Sequence, residues 1–566
     1  MKELIKRLKS LPLLTLELWV ASLLISILGL SSPVFVIQVL RRYVTSGITS
    51  TLITLTTGVL VAIAMEFAFR LIRLSLARGL NLKADAELSA DVFDTFTHAR
   101  TGALENIPPV QRREITNHLN TVLNAYNPAN IVSVFDIPFA LLYVMAIFFL
   151  KPAIAVIVTG FLITGFILSM AHHFFQRQPQ KDMRRVTAGN NSIVNSVIQA
   201  SDSVRSFNAA GFLKKAWMQY QMVLSKIKQR NIAHQGVLKS SAGSLQALMN
   251  VCVMAAGAVY AVHGEMSVAA MIGANILASR AMGPIIRFAQ LGSVFVNAGQ
   301  SLDILDNFCR IPRETEHGTS LKKFSGKIEL SDLSFRFTRA FGPVFESVSF
   351  VLNPGSLLVV TGTNGAGKTT MARLLTGLLF PVQGNILIDG IDLRQVMLKW
   401  WRQQIIYIPQ EPMFFDGTIQ ENIITNNPGI DEEDFNKILV KSGLRRFLDT
   451  SPAGIKTILI NGGKNLAPGI RRRIAIARAL VTDGQLVVID EPSEGMDPEG
   501  IGYMFQVITE CIQRKKTLII FSHNPDILQG HGIRLDLNIK PVPRLTLPGT
   551  ATHVSQIKRP VNENLH

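Results

Sequence analysis

Gly362, Gly367, Lys368 and Thr369 follow the spacing Gly-x4-Gly-Lys-Thr within TGTNGAGKTT, Thr361 to Thr370. The apolar run SLLVV precedes this stretch and the helix-like MARLLTGLL follows it. In that setting the spacing wraps main-chain N–H groups around phosphate oxygens. Lys368 then neutralises β- and γ-phosphate charge, Thr369 offers a hydroxyl to Mg²⁺, and Asn364, Gly365 and Thr370 complete the cradle. Asp490 closes the strand-like run LVVID, where a carboxylate can hold the same Mg²⁺, and Glu491 comes next, placed to polarise an attacking water. His523, at the end of TLIIFSH, can sense the γ-phosphate. Gln410, in IIYIPQEPMF, offers a neutral oxygen to metal and water. Each of these has an ordinary explanation alone: a solvated strand end, a surface histidine, a loop glutamine. Their order along one chain points to nucleoside triphosphate hydrolysis. Phe337, in LSFRF, fits either an adenine-stacking ring or a strand core residue.

Those residues must be held by an alternating pattern of strands and helices. Such a pattern starts at KIELSDLSFRF and interleaves to about Leu537, as an α/β ATPase domain requires. The preceding 300 or so residues are of a different kind. Of the 566 residues 48% are hydrophobic and the mean hydropathy is +0.28, which implies a membrane part. Crossing a bilayer takes roughly 20 apolar residues. Six stretches qualify: Leu18–Leu40, Leu52–Ile72, Asn130–Leu150, Pro152–Ala171, Gly243–Val262 and Ser267–Ala281. The start, MKELIKRLKS, leads into the first of them with no small-residue cleavage pattern, so it reads as a retained span.

The net charge of +17 raises nucleic acid as a partner. Lys and Arg concentrated in cytoplasmic loops produce the same total, and the reading is a bilayer protein with no nucleic acid. The segment between the fourth and fifth spans carries Arg205, Lys214, Lys215, Lys226, Lys228 and Arg230, among others, which places it and both termini in the cytoplasm. It and the segment between the second and third spans read as helical stalks continuing past the membrane. Cys252, Cys309 and Cys511 make no metal or disulfide spacing. The expected divisions are a six-span membrane domain over 1–310, a polar linker over 311–324, an ATPase domain over 325–540, and a Pro-punctuated disordered tail over 541–566.

These motifs resemble those of ATP-binding cassette (ABC) exporter halves across about residues 10–540. The resemblance implies a six-span helical membrane domain with long cytoplasmic extensions fused to an α/β P-loop ATPase that uses ATP and Mg²⁺. It makes Gly362–Thr369 the Walker A loop, Asp490 the end of Walker B and Glu491 the catalytic glutamate. Gln410 becomes the Q-loop glutamine, a metal ligand with Thr369 and Asp490. Asp497 ends the D-loop, His523 is the switch histidine and Phe337 stacks on adenine. Within the membrane half, ASLLISILGLSSPVFVIQVL, VFDIPFALLYVMAIFFL and MIGANILASRAMGPIIRFAQL are similar to the type I protein-secretion exporters of Gram-negative bacteria. That subfamily implies an inner-membrane dimer working with a periplasmic adaptor and an outer-membrane channel on a secreted protein or peptide. The short stretch before Leu18 leaves out the peptidase-like domain found at the front of many such exporters, which implies the short subclass.

One element departs from the family. Where LSGGQ belongs, the chain has Leu466, Ala467, Pro468, Gly469 and Ile470, with Gly469 alone still suited to touch the partner's ATP. Ala467 has no hydroxyl and Pro468 no N–H. Pro suits a first helical turn, so the helix is expected to survive without two of its phosphate donors. Hydrogen bonds to charged groups contribute about 1.5–3 kcal/mol each, so nucleotide-driven closure weakens by roughly two to four decades. In a homodimer both sites suffer. In a heterodimer with a half bearing an intact LSGGQ, the site built on Lys368, Glu491 and His523 stays competent, and retention of those groups favours this arrangement. The alternatives are an exporter half for a lipid or small amphiphile, and a regulatory half that rarely hydrolyses ATP. Glu66 and Arg70 are spaced to pair on one helix face, while Arg280 and Arg287 fit either a substrate cavity or a helix-end snorkel.

Overall fold

In a computed structural model the described residues are 2–175, 177–315, 318–338, 342–524 and 532–546. The chain divides into two units, Met1–Thr97 with Ile107–Ile311, and His98–Asn106 with Pro312–His566.

The first unit is helical. Six of its described helices are long and apolar enough to cross a bilayer: Pro12–Ser46, Thr49–His98, Pro128–Leu150, Pro152–Met170, Ser240–Val262 and Val268–Cys309. Two run far past what a bilayer needs, Thr49–His98 at 50 residues and Ala210–Val262 at 53. Fifty residues span about 75 Å at the helical rise against roughly 30 Å of hydrocarbon. Apolar side chains such as Ile147, Val158, Met249 and Ala278 are fully buried between these helices. Charges within the spans find each other: Arg70 Nε donates to Glu66 Oε1 at 3.0 Å, and Arg73 pairs with Asp136, whose second oxygen lies 3.6 Å from Arg287 Nη1. Arg280 Nη1 lies alongside Gly29 and the Tyr143 hydroxyl. A cavity of about 1110 Å³ opens on Gln111, Asn117, Asn191, Asn297 and Asn307.

The second unit has twelve described strands. They are β1 Ile328–Phe335, β2 Phe345–Leu352, β3 Leu357–Thr361, β4 Gln383–Ile388, β5 Ile391–Asp392, β6 Ile405–Ile408, β7 Gly417–Thr418, β8 Ile458–Leu459, β9 Leu486–Asp490, β10 Thr517–Ser522, β11 Ile533–Asp536 and β12 Arg544–Thr546. An antiparallel sheet runs β2-β1-β4-β5, and a second sheet runs β12-β11-β3-β10-β9-β6. From β11 to β6 the second sheet is parallel, with Val360 opposite Phe521 and Ile489 opposite both Ile520 and Ile408. Every residue of β9 and β10 is buried, as strands covered on both faces must be, which is why they read as unbroken apolar runs. Parallel strands end on one edge. The carboxyl ends of β3, β6, β9 and β10 therefore deliver the phosphate loop, Gln410, Asp490–Glu491 and His523 to the same rim.

Two expected boundaries do not hold. The polar stretch taken as a linker is folded onto the ATPase: Arg402 grips Glu314 bidentately at 2.6 and 2.7 Å, and Phe324, 1% exposed, packs edge-on against Trp401. At the far end β12 pairs with β11 through Arg544 and Thr546, so the domain passes 540; residues 547–566 lie outside the described residues. In addition, the short helix Thr101–Glu105 belongs to this unit, where Glu105 pairs with Arg373.

Candidate active site

Between β3 and the helix Lys368–Leu375 the chain makes a tight loop. It closes with Gly367 at φ 108° as helix N-cap, where an added Cβ would stand 2.5 Å from Val344. Only glycine fits that conformation and that gap. The helix then opens with free N–H groups beside the Lys368 ammonium, an anion site by construction. Lys368 Nζ donates to the carbonyls of Gly362 at 2.7 Å and Thr363 at 3.3 Å, and lies 3.1 Å from Glu491 Oε1. Asn364 and Gly365 are exposed at the loop's tip and Thr370 is partly buried on the helix.

Glu491 itself is 2% exposed and sits at φ 51°, a costly conformation for a side chain that turns its carboxylate back over the rim. Its Oε2 lies 2.9 Å from His523 Nδ1 and accepts from the His523 main-chain N–H at 3.3 Å. The structure therefore gathers Lys368, Glu491 and His523 into one chain of contacts. Alongside it Thr369 Oγ1 reaches Gln410 Oε1 at 3.5 Å, and the Gln410 amide donates to Glu494 Oε2 at 2.7 Å.

Both carboxylate oxygens of Asp490 are buried without a hydrogen-bond partner. Burial pushes this carboxyl above the ordinary carboxylate range, with the neighbouring Thr369 hydroxyl pulling the other way. Burial, and next the Asp490 charge, push the Tyr407 hydroxyl up to about 12. Unpartnered buried oxygens beside a hydroxyl and a carboxamide are the hard donor set that Mg²⁺ prefers. Asp490, Thr369 and Gln410 thus fit the ion, which when bound supplies charge neutralisation at the β- and γ-phosphates.

Phe337 stands just past β1, 39% exposed, with its edge against Phe335. It is outside the core. Asp497 and Gly469 are not in the phosphate cradle: Asp497 caps the helix Pro498–Gln513 and binds Arg473 at 2.9 Å, and Gly469 lies near the Gly495 carbonyl. The damaged segment does open a helix, Pro468–Leu480, with Pro468 in its first turn and Ala467 as an N-cap that makes no side-chain bond.

Several contributors escaped the sequence reading. Asn538 Oδ1 accepts from Thr363 N at 2.8 Å and Thr363 Oγ1 at 2.9 Å, and Lys540 donates to Ala366 O at 2.7 Å, so two residues after β11 brace the phosphate loop. Glu494 and Arg472 also enter the site. A clustered Arg471-Arg472-Arg473 run was the only signal for any of them.

Most of the chain matches known families. Residues 16–285 match the ABC transporter transmembrane region and residues 345–494 the ABC transporter family. The chain is an ABC exporter subunit. The exporter is 25% identical over 511 residues to the leukotoxin translocation ATP-binding protein LktB of Mannheimia haemolytica, covering 90% of this chain and 72% of the relative. The same figures hold for the alpha-hemolysin translocation ATP-binding protein HlyB of Escherichia coli O157:H7. A solved bacterial Atm1-family ABC exporter with ATP bound shares the fold at TM-score 0.78 and 18% identity, over 93% of this chain and 94% of the other. The exporter is thus a multi-pass membrane protein carrying an ATPase that binds ATP.

Proposed function

We propose that this exporter is the energy-coupling subunit of a type I secretion system in a bacterial inner membrane, moving a protein or peptide out of the cytoplasm. The observation that carries the reading is likeness over 90% of the chain to two proteins named for translocating a leukotoxin and alpha-hemolysin. The cavity of the membrane unit supports it, because a mainly apolar lining that also carries Gln111, Asn117, Asn191, Asn297 and Asn307 can meet both the apolar side chains and the amides of an extended peptide. A periplasmic adaptor and an outer-membrane channel complete the conduit, and the ATPase lies on the cytoplasmic side.

Two halves sandwich ATP between the Lys368 loop of one and the signature helix of the other, and hydrolysis is set up by Glu491 and Gln410 with His523 at the γ-phosphate. Phe337 stacks on the base, while Gly469 and Asp497 act at the partner's edge of the sandwich. Retention of the Lys368, Glu491 and His523 constellation beside an Ala467–Pro468 signature favours pairing with a different half bearing LSGGQ. Purification from the native membrane tests both statements: an adaptor and a second half should co-purify. A dimer of this chain alone that hydrolyses ATP rapidly would remove the heterodimer.

A further inference from the structure

Arg472 lies in the helix Pro468–Leu480, yet it is 2% exposed. Its guanidinium spans two strand ends. Nη1 donates to the carbonyls of Pro409 and, at 3.0 Å, Gln410; Nη2 donates to those of Asp490, at 2.8 Å, and Glu491. Four of the five N–H groups are thereby used, and Nε is buried without a partner. The partners are main-chain carbonyls, with no carboxylate in direct contact among the described residues. Asp490, Glu494 and Glu491 balance its charge from further away.

Burying a guanidinium is expensive unless its donors are met. Arg473, next along the same helix, meets its own by binding Asp497 and the Gly443 carbonyl. Arg472 instead places a rigid planar fork where the backbones of Gln410 and Glu491 converge, a geometry that a lysine ammonium cannot copy. Any rotation of the helix must shift these carbonyls or break four bonds.

We propose that Arg472 is a positioning residue for hydrolysis, making its helix, Gln410 and Glu491 move as one body. The helix begins at the segment that the sandwich reading turns toward the partner's nucleotide. Through Arg472 a displacement there is felt at this chain's own Gln410 and Glu491. The inference rests on that reading of the site.

The test uses the full chain with any natural companion, reconstituted in lipid, as wild type, Arg472→Met, Arg472→Gln and Arg472→Lys. Turnover, ATP affinity in EDTA and backbone hydrogen exchange are measured on each. In Arg472→Met we expect kcat to fall about tenfold with ATP affinity unchanged, and exchange to rise over residues 409–412 and 491–496 but not over β3. Arg472→Lys, which keeps charge without the fork, should recover only part of kcat. Unchanged kcat overturns the proposal. So does a parallel loss of kcat, ATP affinity and thermal stability in both Arg472→Met and Arg472→Gln, which would mark a purely structural arginine. Glu491→Gln run beside them keeps the two ideas separate: full turnover in that variant removes the site reading and the proposal with it, whereas full turnover in Arg472→Met alone removes only the proposal.

Discussion

Lys368 and Glu491 hold each other, Nζ to Oε1 at 3.1 Å, with side chains only 7% and 2% exposed. On the proposed reading, the group that would meet phosphate and the group that would activate water therefore compete for one another's charge. On that reading an arriving triphosphate would draw Lys368 away and release the carboxylate.

Glu491→Gln separates the two roles. Removing one member of a buried pair leaves the other uncompensated, so Lys368 should welcome the triphosphate at least as well as before. General-base catalysis contributes about 10²- to 10⁴-fold, and turnover should fall by that much. Steady-state ATPase and Mg-ATP binding measured on one preparation check it. Loss of binding along with turnover would show the carboxylate to be structural.

Asp490 carries the opposite tension between stability and chemistry. Its carboxyl is held above the ordinary range by burial, so the folded protein binds the proton more tightly than the unfolded chain does and the charged form opposes folding at neutral pH. That opposition grows as pH rises from the ordinary carboxylate range through the raised value, and disappears below both. Asp490→Asn should therefore raise the melting temperature without Mg²⁺ by roughly 2–4 °C at neutral pH, with a smaller gain in acid, while abolishing hydrolysis. Thermal unfolding in EDTA across pH, beside an ATPase assay, tells the outcome.

The residues proposed to do chemistry stand out in the sequence because they follow apolar strand runs, and a parallel sheet must bring such ends to one edge. What escaped detection acts through position alone. Asn538 and Lys540 follow a four-residue strand with no motif around them. Arg472 reads as one charge in a basic helix until the fold buries it. The 311–324 stretch looked like a solvated linker because its sequence is polar. Glu314 is satisfied by Arg402, and one ring, Phe324, is enough to anchor the end. β12 was missed for another reason: the pairing of Arg544 and Thr546 with β11 uses main-chain groups that a Pro-punctuated sequence does not advertise.

Asn538 predicts a defect in binding rather than in chemistry. Its carboxamide oxygen fixes both the N–H and the hydroxyl of Thr363, inside the loop proposed to close on phosphate. A hydrogen bond of this kind contributes about 1 kcal/mol, so Asn538→Ala should weaken ATP binding roughly fivefold and leave kcat nearly unchanged. A titration with a fluorescent ATP analogue would show it. An unchanged affinity would mean that Lys540 alone braces the loop.

The Arg473 bonds, and next the Gly500 main-chain N–H, hold the Asp497 carboxyl below the ordinary carboxylate range. A depressed value in the fold means stability that is present above the ordinary range and lost as pH falls through the lowered one. The carboxylate is 55% exposed, so the effect is small. Asp497→Asn should lower the melting temperature slightly at neutral pH, and the difference from wild type should close in strong acid. A gap that persists in acid would locate the defect in the helix cap at Gly500 instead of the ion pair.

The signature segment offers the sharpest test of how the two halves share work. Ala467 sits at φ −58° and ψ 147° with no side-chain cap, and Ala467 and Pro468 are both exposed, so both can change without disturbing the core. Ala467→Ser with Pro468→Gly restores a hydroxyl and an N–H at a helix N-terminus, two donors to a facing γ-phosphate. If the missing donors limit closure, turnover of the reconstituted complex should rise by about tenfold or more. The gain should vanish when the companion half's own phosphate-loop lysine is neutralised, because the repaired donors serve that half's nucleotide. A rise that survives that change would place the repaired donors on this chain's own Lys368 site, as in a homodimer, and no rise at all would mean that other amides already do their work.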